Sequence, residues 1–252
     1  MDAILTFHSI DDSGSPLSYR PPELEALLDD LAIEGVRVVP LAELLTAAPA
    51  RSHRVVLTFD DGIRSVHRTA LPILVRRRLP AMLYVVTEAV GKSDAWRSQT
   101  VGMPSFDLMS WNELREARDM GFAIGSHTAT HRHLRTLGEE EWHAELAGAR
   151  ARLEEQLGIA VQDFAYPYGT YDDDAVARVG AVYRSAVTTD LGFTTGESLY
   201  RLPRIDTYYL RHVRARLPLF GGRTRRYLRF RSALRRLRRV AALARAGREN
   251  VW

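Results

Sequence analysis

Short apolar runs that are rich in β-branched residues alternate with amphipathic stretches along this chain. Residues 3–7 have the composition of a strand, and residues 22–33 carry leucines at three- and four-residue spacings, which predicts a helix with one buried face. The same patterns predict strands at 36–39, 55–59, 81–86, 122–125, 164–165 and 182–187, and helices at 64–78, 111–120, 139–157 and 172–179. Such alternation is typical of βα units, so we predict the α/β class with a parallel sheet or barrel.

The stretch from residue 87 to residue 110 interrupts this alternation, because it has no clear period and contains Gly91, Gly102 and Pro104. Loops of this length are uncommon unless they are functional. We therefore predict an inserted loop over one end of the barrel. In such barrels the chemistry lies at the carboxyl ends of the strands, where the βα loops converge.

The composition favours one catalytic domain with a tail. The 252 residues are 46% hydrophobic, and no long polar linker divides them. The formal charge of +4 comes almost entirely from residues after Arg211, so we predict a catalytic domain at 1–210 and a basic, Arg-rich amphipathic tail at 211–252. Cysteine is absent, which excludes disulfides, thiolate metal sites and cysteine nucleophiles. Imidazole and carboxylate groups must therefore hold any metal.

The amino-terminal residues 1–8 lack the basic region, apolar run and cleavage site of a secretory signal. No apolar stretch of the sequence is long enough to span a bilayer. We therefore expect a soluble, cytoplasmic protein. The sequence does not indicate an oligomeric state.

Two adjacent aspartates, Asp60 and Asp61, follow the apolar run at 55–59 and precede Gly62. Adjacent side chains at a strand end point in different directions, so one carboxylate can bind a cation while the other acts as a base. Glycine permits a sharp turn at this point. The alternative is an ordinary Asp-Gly turn after a strand.

A second motif, which contains His127 and His131, follows the predicted strand at 122–125. Histidines at i and i+4 lie on one side of a helical turn, and neutral imidazole is a good ligand for zinc and similar ions. Together with Asp61 they predict a site of two histidines and one carboxylate that leaves positions open for water and substrate. The alternative is a polar face on which histidines accumulate, as His133 nearby illustrates.

A third motif, Tyr166-Pro167-Tyr168-Gly169, follows the predicted strand at 164–165. Aromatic rings at a strand end suit a sugar ring, and a backbone N–H after the proline suits a developing oxyanion. The alternative is an ordinary turn.

With these three motifs in this order, the chain resembles the polysaccharide deacetylases that share the NodB homology domain, carbohydrate esterase family 4. The resemblance extends from residue 4 to about residue 206 and includes 108–111 and 120–122. It looks closest to the branch that deacetylates exported poly-N-acetylglucosamine, whose first strand also ends in an aromatic-His pair, here Phe7-His8. The resemblance implies a distorted (β/α) barrel and metal-dependent removal of N-acetyl groups from amino sugars in a polysaccharide or lipid-linked saccharide.

The resemblance also implies residue roles. It makes Asp60 the general base, and it makes Asp61, His127 and His131 the ligands of one divalent ion. Zinc is the expected ion, with cobalt, nickel and manganese as alternatives. Tyr168 corresponds to the residue whose backbone N–H helps to hold the oxyanion.

The chain departs from the family pattern at several positions. Ala165 stands where the family usually has the arginine that tethers the base, and Arg132 stands where a proline usually follows the second metal histidine. The family's Asp-rich fourth motif is absent, and so is the Leu-x-Leu-His segment that supplies the general acid. The region at 188–209 offers Asp190, Arg204 and Asp206 instead.

The general acid is therefore open. His8 is the first candidate because it ends the first strand at the same face, and His212 is a weaker one. A structural histidine near the site is the alternative for His8.

Two other functions remain open from the sequence. Members of the family also cleave other C–N bonds, for example in formylated lipid-linked sugars, and a panel of acylated substrates separates these activities. A non-catalytic saccharide-binding relative is the second alternative, which the missing arginine and acid motifs favour and the retained Asp60 disfavours.

The tail poses a separate question. Residues 223–248 contain eleven arginines and no acid, interleaved with apolar residues in the pattern of a basic amphipathic helix. One interpretation is a solvated helix packed on the barrel. The other is attachment to an anionic membrane surface, peripheral to the inner face, where basic amphipathic helices bind. Nucleic acid is the weaker option because no recognition fold accompanies the charge.

Overall fold

The computed structural model describes residues 1–46, 52–94, 96, 105–196, 198–211 and 218–249, with side chains described to residue 237 except that of residue 236. Its strands are β1 (Asp2–Phe7), β2 (Ser9–Ile10), β3 (Ser18–Tyr19), β4 (Arg37–Val38), β5 (Arg54–Phe59), β6 (Met82–Val85), β7 (Ala123–Ser126), β8 (Asp163–Ala165), β9 (Ser185–Leu191) and β10 (Leu202–Asp206). Its α-helices are α1 (Pro21–Ile33), α2 (Leu41–Thr46), α3 (Leu71–Arg77), α4 (Trp111–Asp119), α5 (Glu141–His143), α6 (Ala149–Leu157), α7 (Asp173–Val182) and α8 (Gly222–Glu249).

Seven parallel strands in the described part of the chain close into a barrel. Strand β1 pairs with β5 on one side and with β10 on the other, and the circuit runs through β6, β7, β8 and β9. Strand β4 pairs with the start of β5 outside this circuit, and β2 pairs with β3 in a separate small sheet. The predicted distorted (β/α) barrel is therefore confirmed.

Two apolar clusters sandwich the wall of the barrel. The larger lies between the strands and the helices and includes the leucines of α1 at positions 24, 27, 28 and 31, which the spacing predicted. The smaller contains alternate strand residues: Ile4, Val56, Met82, Tyr84, Ala165, Val187 and Leu202. Because side chains alternate across a strand, this second cluster fills the barrel interior below the carboxyl ends.

Most helix predictions agree with the structure to within a few residues. The helix predicted at 64–78 comprises a π-helical turn at Val66–Ala70 followed by α3. The helix predicted at 139–157 comprises α5, a π-helical turn at Ala144–Gly148 and α6. A capping box in which Ser110 accepts from the Glu113 amide starts α4. The helix α2 was not predicted, because six residues are too few to show a period.

One strand prediction needed correction, and one barrel strand was missed. The strand predicted at 182–187 lies at Ser185–Leu191, because α7 continues to Val182. The barrel strand β10 was not predicted, since it contains Pro203 and Arg204 in place of a continuous apolar run. Among the described residues, no helix has both the length and the apolar content that crossing a bilayer requires.

Candidate active site

The two aspartates after β5 lie in a turn that separates their side chains. Asp61 and Gly62 both have positive φ, at 70° and 73°. Asp60 instead continues the ladder, because its amide donates to the Phe7 carbonyl oxygen at 3.0 Å. Its side chain therefore enters the barrel mouth, while that of Asp61 turns towards β7. Both side chains are buried.

Asp61, His127 and His131 form a buried cluster. Their candidate ligand atoms all lie within 4.8 Å of one another. Oδ1 of Asp61 lies 3.5 Å from Nε2 of His127 and 3.3 Å from Nε2 of His131. Bonds of about 2.0–2.2 Å to one tetrahedral ion put neighbouring donor atoms roughly 3.3–3.6 Å apart. The three residues therefore fit a divalent cation.

A further contact orients one of the imidazoles. Nδ1 of His127 lies 2.7 Å from the carbonyl oxygen of Ala165 on β8. Because a carbonyl oxygen can only accept, Nδ1 carries a hydrogen and donates this hydrogen bond. In the neutral imidazole the lone pair of Nε2 then faces Asp61. Histidine ligands of metals are oriented in this way by the hydrogen bond of their second nitrogen.

The two histidines do not lie on a helical turn, as the sequence had suggested. The segment from residue 127 to residue 131 is a loop in which Thr128 and His131 have positive φ, at 69° and 61°. The His131 amide donates to Oγ1 of Thr128 at 2.9 Å. Two left-handed residues thus turn the chain back on itself and bring His131 beside His127.

Glu145, which was not predicted as a site residue, supports this loop. Its carboxylate is buried and accepts hydrogen bonds from the backbone amides of Ala129 and Thr130, at 2.9 and 3.0 Å, and from the Thr130 hydroxyl. Three donors on one carboxylate fix the loop that carries His131. Glu145 is therefore a positioning residue for the candidate metal cluster.

We expect Glu145→Gln to weaken Co²⁺ binding about ten- to hundredfold, which is typical when a group that supports a metal ligand is lost. The amide carries no negative charge, so the charge-assisted hydrogen bonds from the Ala129 and Thr130 amides weaken, and the Thr130 hydroxyl must change from donor to acceptor. Competition with a coloured chelator measures the affinity. Glu155→Gln, an exposed position of α6, is the matched control. Equal affinity in both variants would contradict the positioning role.

Asp60 binds Arg204 of β10 through two parallel hydrogen bonds. Nη1 donates to Oδ1 and Nη2 donates to Oδ2, both at 2.7 Å, and the side chains are only 1% and 3% exposed. Burial raises the pKa of the Asp60 carboxyl, but the charge and hydrogen bonds of Arg204 outweigh this effect and hold the pKa below its usual value. Asp60 is therefore ionised at neutral pH.

Arg204 is itself fixed by the barrel wall. Its Nε donates to the Thr188 carbonyl oxygen at 2.8 Å, Nη1 also contacts the Thr58 hydroxyl, and the guanidinium lies 5.8 Å from the centre of the Tyr84 ring. Arg204 was expected only as one of the polar residues at 188–209, with no role assigned. The available signal was a charged residue within a buried strand, which requires a partner.

His8 lies at the carboxyl end of β1, half-buried and close enough to Asp60 for a protonated imidazole to lower the pKa of that carboxyl. The structure thus brings the first candidate acid to the same mouth as the candidate base. His212, the weaker candidate, lies outside the described residues.

Aromatic rings surround the outer histidine. The Trp96 ring stacks on His131 with centroids 4.7 Å apart, and the Tyr168 ring packs edge-on against His131 at 4.6 Å. Tyr168 also stacks on His133 and remains 43% exposed. The inserted stretch at 87–110 therefore contacts the site through Trp96, which agrees with its predicted position over one end of the barrel.

Comparisons with known proteins agree with this geometry. The family model described as "Polysaccharide deacetylase" matches residues 47–183. The YxkH protein of Bacillus subtilis is 26% identical over an alignment of 208 residues that covers 80% of this chain and 70% of that protein.

Solved structures resemble the fold. IcaB from Ammonifex degensii has a TM-score of 0.72 at 25% identity, over 82% of this chain and 93% of that one. A polysaccharide deacetylase from Bacillus cereus has a TM-score of 0.67 at 27% identity, over 81% of this chain. The matched part spans 64% of the length of the Bacillus cereus protein.

Proposed function

Because this chain belongs to the polysaccharide deacetylase family, we propose that it is a metal-dependent hydrolase that removes N-acetyl groups from amino sugars in a polysaccharide or a lipid-linked saccharide. One observation carries the proposal. A buried, ionised carboxylate, Asp60, lies next to a separate cluster of Asp61, His127 and His131 whose donor atoms have metal-ligand spacing. A base and a cation site side by side are the two parts that metal-assisted amide hydrolysis needs.

Asp61, His127 and His131 would hold the ion, and zinc suits this set of two imidazoles and one carboxylate, with cobalt, nickel and manganese as alternatives. When bound, a divalent ion supplies a Lewis acid that polarises the acetamide carbonyl and lowers the pKa of a water molecule. Asp60 takes the proton of the attacking water. Arg204 keeps Asp60 charged and aimed at the mouth, so the base needs no reorganisation during the reaction.

The remaining roles fall on groups around the same mouth. His8, as an imidazolium, would donate a proton to the departing amine, which leaves as the free amino sugar while acetate forms. The backbone N–H of Tyr168 would face the oxyanion. The exposed Tyr168 ring offers an apolar face for the sugar.

The hypothesis of a hydrolase is better supported than the hypothesis of a non-catalytic saccharide-binding relative. The absence of the usual tethering arginine from position 165 had favoured the latter. Arg204 supplies an equivalent guanidinium from β10, with both of its terminal nitrogens on Asp60. A buried ion pair of this kind has a high desolvation cost, and the need to keep a base ionised at the mouth accounts for its presence there.

A substrate panel tests the proposal. The metal-loaded protein is incubated with N-acetylglucosamine oligomers, N-formylated sugars and a simple aryl acetamide, and acetate, formate and free amine are each measured. We expect acetate and free amine in equal amounts from the oligomers. Formate from the formylated sugars alone would assign the chain to the related deformylases, and metal binding without turnover on any substrate would indicate a binding protein.

We expect His131→Gln to reduce the affinity for Zn²⁺ at least a hundredfold and to abolish turnover, because a ligand and its ring contacts are lost together. His133→Gln is the matched control, since His133 lies two residues along the chain and contacts Tyr168 and Thr170 instead of Asp61. Isothermal titration with Zn²⁺ measures both. Loss of binding in the His133 variant alone would contradict the assigned ligands.

A further inference from the structure

The helix α8 packs on the barrel along one seam. Thr224 and Leu228 are each 1% exposed, and the guanidinium groups of Arg231 and Arg235 lie 4.9 and 5.7 Å from the centre of the Tyr209 ring. The spacings 4, 3 and 4 between these residues define a single side of an α-helix. The first half of α8 is thus anchored and has a defined outer side.

The outer side of α8 carries large apolar residues in water. Phe230 is 61% exposed and Leu237 is 66% exposed, and Leu234 between them is partly exposed. The spacings of four and three residues place the three side chains on one stripe. At 100° per residue, Phe230 and Leu237 lie about 180–200° around the helix from Leu228, so this stripe faces away from the barrel.

Exposed arginines surround the stripe. The first two turns of α8 expose Arg223, Arg225, Arg226 and Arg229, and residues 223–248 contain no acidic residue at all. This part of the surface therefore combines dense positive charge with exposed apolar side chains. A monomeric soluble surface rarely keeps such a combination without a partner.

The course of α8 places this surface beside the candidate active site. Arg225 lies against the Met1 sulfur at the amino end of β1, at 3.7 Å, and Arg235 contacts the Thr189 hydroxyl at 3.4 Å. Thr189 packs against Gly169 of the third motif so closely that no Cβ would fit there. The helix thus runs from the bottom of the barrel to the rim that carries Tyr168.

We infer that α8 docks the protein on the surface of an anionic lipid bilayer, with the stripe of Phe230, Leu234 and Leu237 inserted at the boundary between headgroups and acyl chains and the arginines on the phosphates. Basic amphipathic helices bind such surfaces by this combination of apolar burial and charge. A soluble polyanion would need the arginines but would leave Phe230 and Leu237 in water. The inference stands apart from the proposed hydrolase activity, because no residue of this stripe belongs to the site.

Vesicle binding by the full chain tests the inference. Co-sedimentation is measured with vesicles of phosphatidylglycerol and phosphatidylcholine and with vesicles of phosphatidylcholine alone. We expect binding to the anionic vesicles only. The double variant Phe230→Ser/Leu237→Ser should lose ~tenfold or more of the affinity, because two large apolar side chains no longer enter the bilayer. Ile33→Ser, which removes an 83% exposed apolar residue from α1, is the matched control and should bind as the parent does.

Several outcomes would overturn the inference. Absence of binding to anionic vesicles at low salt is one, and equal binding by the double variant and the Ile33 variant is another. A third outcome is that the parent and the double variant bind vesicles equally well and that both bind duplex DNA as tightly as they bind vesicles. This would show a non-specific polyanion surface instead. Turnover of a soluble N-acetylated substrate, measured on the same samples, separates loss of docking from failure of the hydrolase proposal.

Discussion

Replacing Asp60 with asparagine is expected to abolish acetate release while leaving the metal bound. The amide is nearly isosteric with the carboxylate and can still accept a hydrogen bond from Arg204, but it cannot take a proton from water. Positioned general bases contribute about 10²–10⁴-fold to a rate, so turnover should fall by at least that factor. Metal binding should persist because Asp61, and not Asp60, lies with the two histidines.

Acetate assays on metal-loaded protein, with bound metal measured on the same preparation, decide this prediction. The asparagine leaves the charge of Arg204 without its counterpart, so a thermal melt must accompany the assay to show that the variant is folded. Asp107→Asn is the matched control. Asp107 is exposed and lies near the aspartate turn, because its carbonyl oxygen accepts a hydrogen bond from the Arg64 amide just after that turn. Turnover near the parent level in Asp60→Asn would refute its role as the base.

Removing the guanidinium of Arg204 is expected to affect both stability and the pH dependence of activity. Arg204→Met leaves the Asp60 carboxylate buried without a partner, and breaking a buried pair in this way costs about 3–5 kcal/mol of the free energy of unfolding. Burial of Asp60 is then no longer opposed by Arg204, so the pKa of the carboxyl rises. The base is protonated over part of the working range, and turnover falls.

The sign of the pH effect follows from the lowered pKa of Asp60 in the folded parent. Such a group contributes stability above its unfolded pKa and loses that contribution as the pH falls through the folded pKa. The difference in stability between parent and Arg204→Met should therefore be largest near neutral pH and shrink in acid. The acid limb of the kcat/KM profile should move to higher pH in the variant.

The chain offers a close control for this variant. Arg54 is 2% exposed and makes two parallel hydrogen bonds to Asp2, at 2.9 and 2.7 Å, at the opposite end of the barrel. Arg54→Met should cost stability but leave the acid limb of the activity profile unchanged. If both variants shift that limb equally, the effect of Arg204 is structural only.

A second variant keeps the prediction testable if Arg204→Met folds poorly. Ala165 lies on β8 in the barrel interior, at the position where related sequences usually have their arginine. Combining Ala165→Arg with Arg204→Met returns a guanidinium to the interior from another strand. We expect partial recovery of turnover and of the parent pH profile. No recovery in a stably folded double variant would count against a tethering role for the guanidinium.

The barrel and the three motifs were predictable because their signals are local. A buried strand shows an apolar run, a helix on its outer face shows the leucine spacing of α1, and polar residues directly after apolar runs fall at one end of a parallel barrel. Asp60 and Asp61 therefore lie near His127 and His131, as predicted. Their catalytic and ligand roles stay proposals until the variants above are measured.

Other parts of the site needed the tertiary structure. The histidine loop was predicted as a helical turn, since a four-residue spacing does not reveal that Thr128 and His131 adopt positive φ. Glu145 was not predicted as a support for this loop, because its hydrogen-bond partners lie about 15 residues before it, on another element. His8 is the proposed general acid because the structure brings it to the mouth beside Asp60, which its place in the sequence only suggested.

The sequence by itself determined the class of the fold, the face that holds the chemistry and the types of side chain available there, because strand and helix periods and the choice of histidine and aspartate are properties of short segments. Only the tertiary structure decided that Arg204 meets Asp60, 144 positions away, across the barrel interior. That contact depends on strand order and register around a closed sheet. These are set by the packing of all seven strands together, and no local segment encodes them.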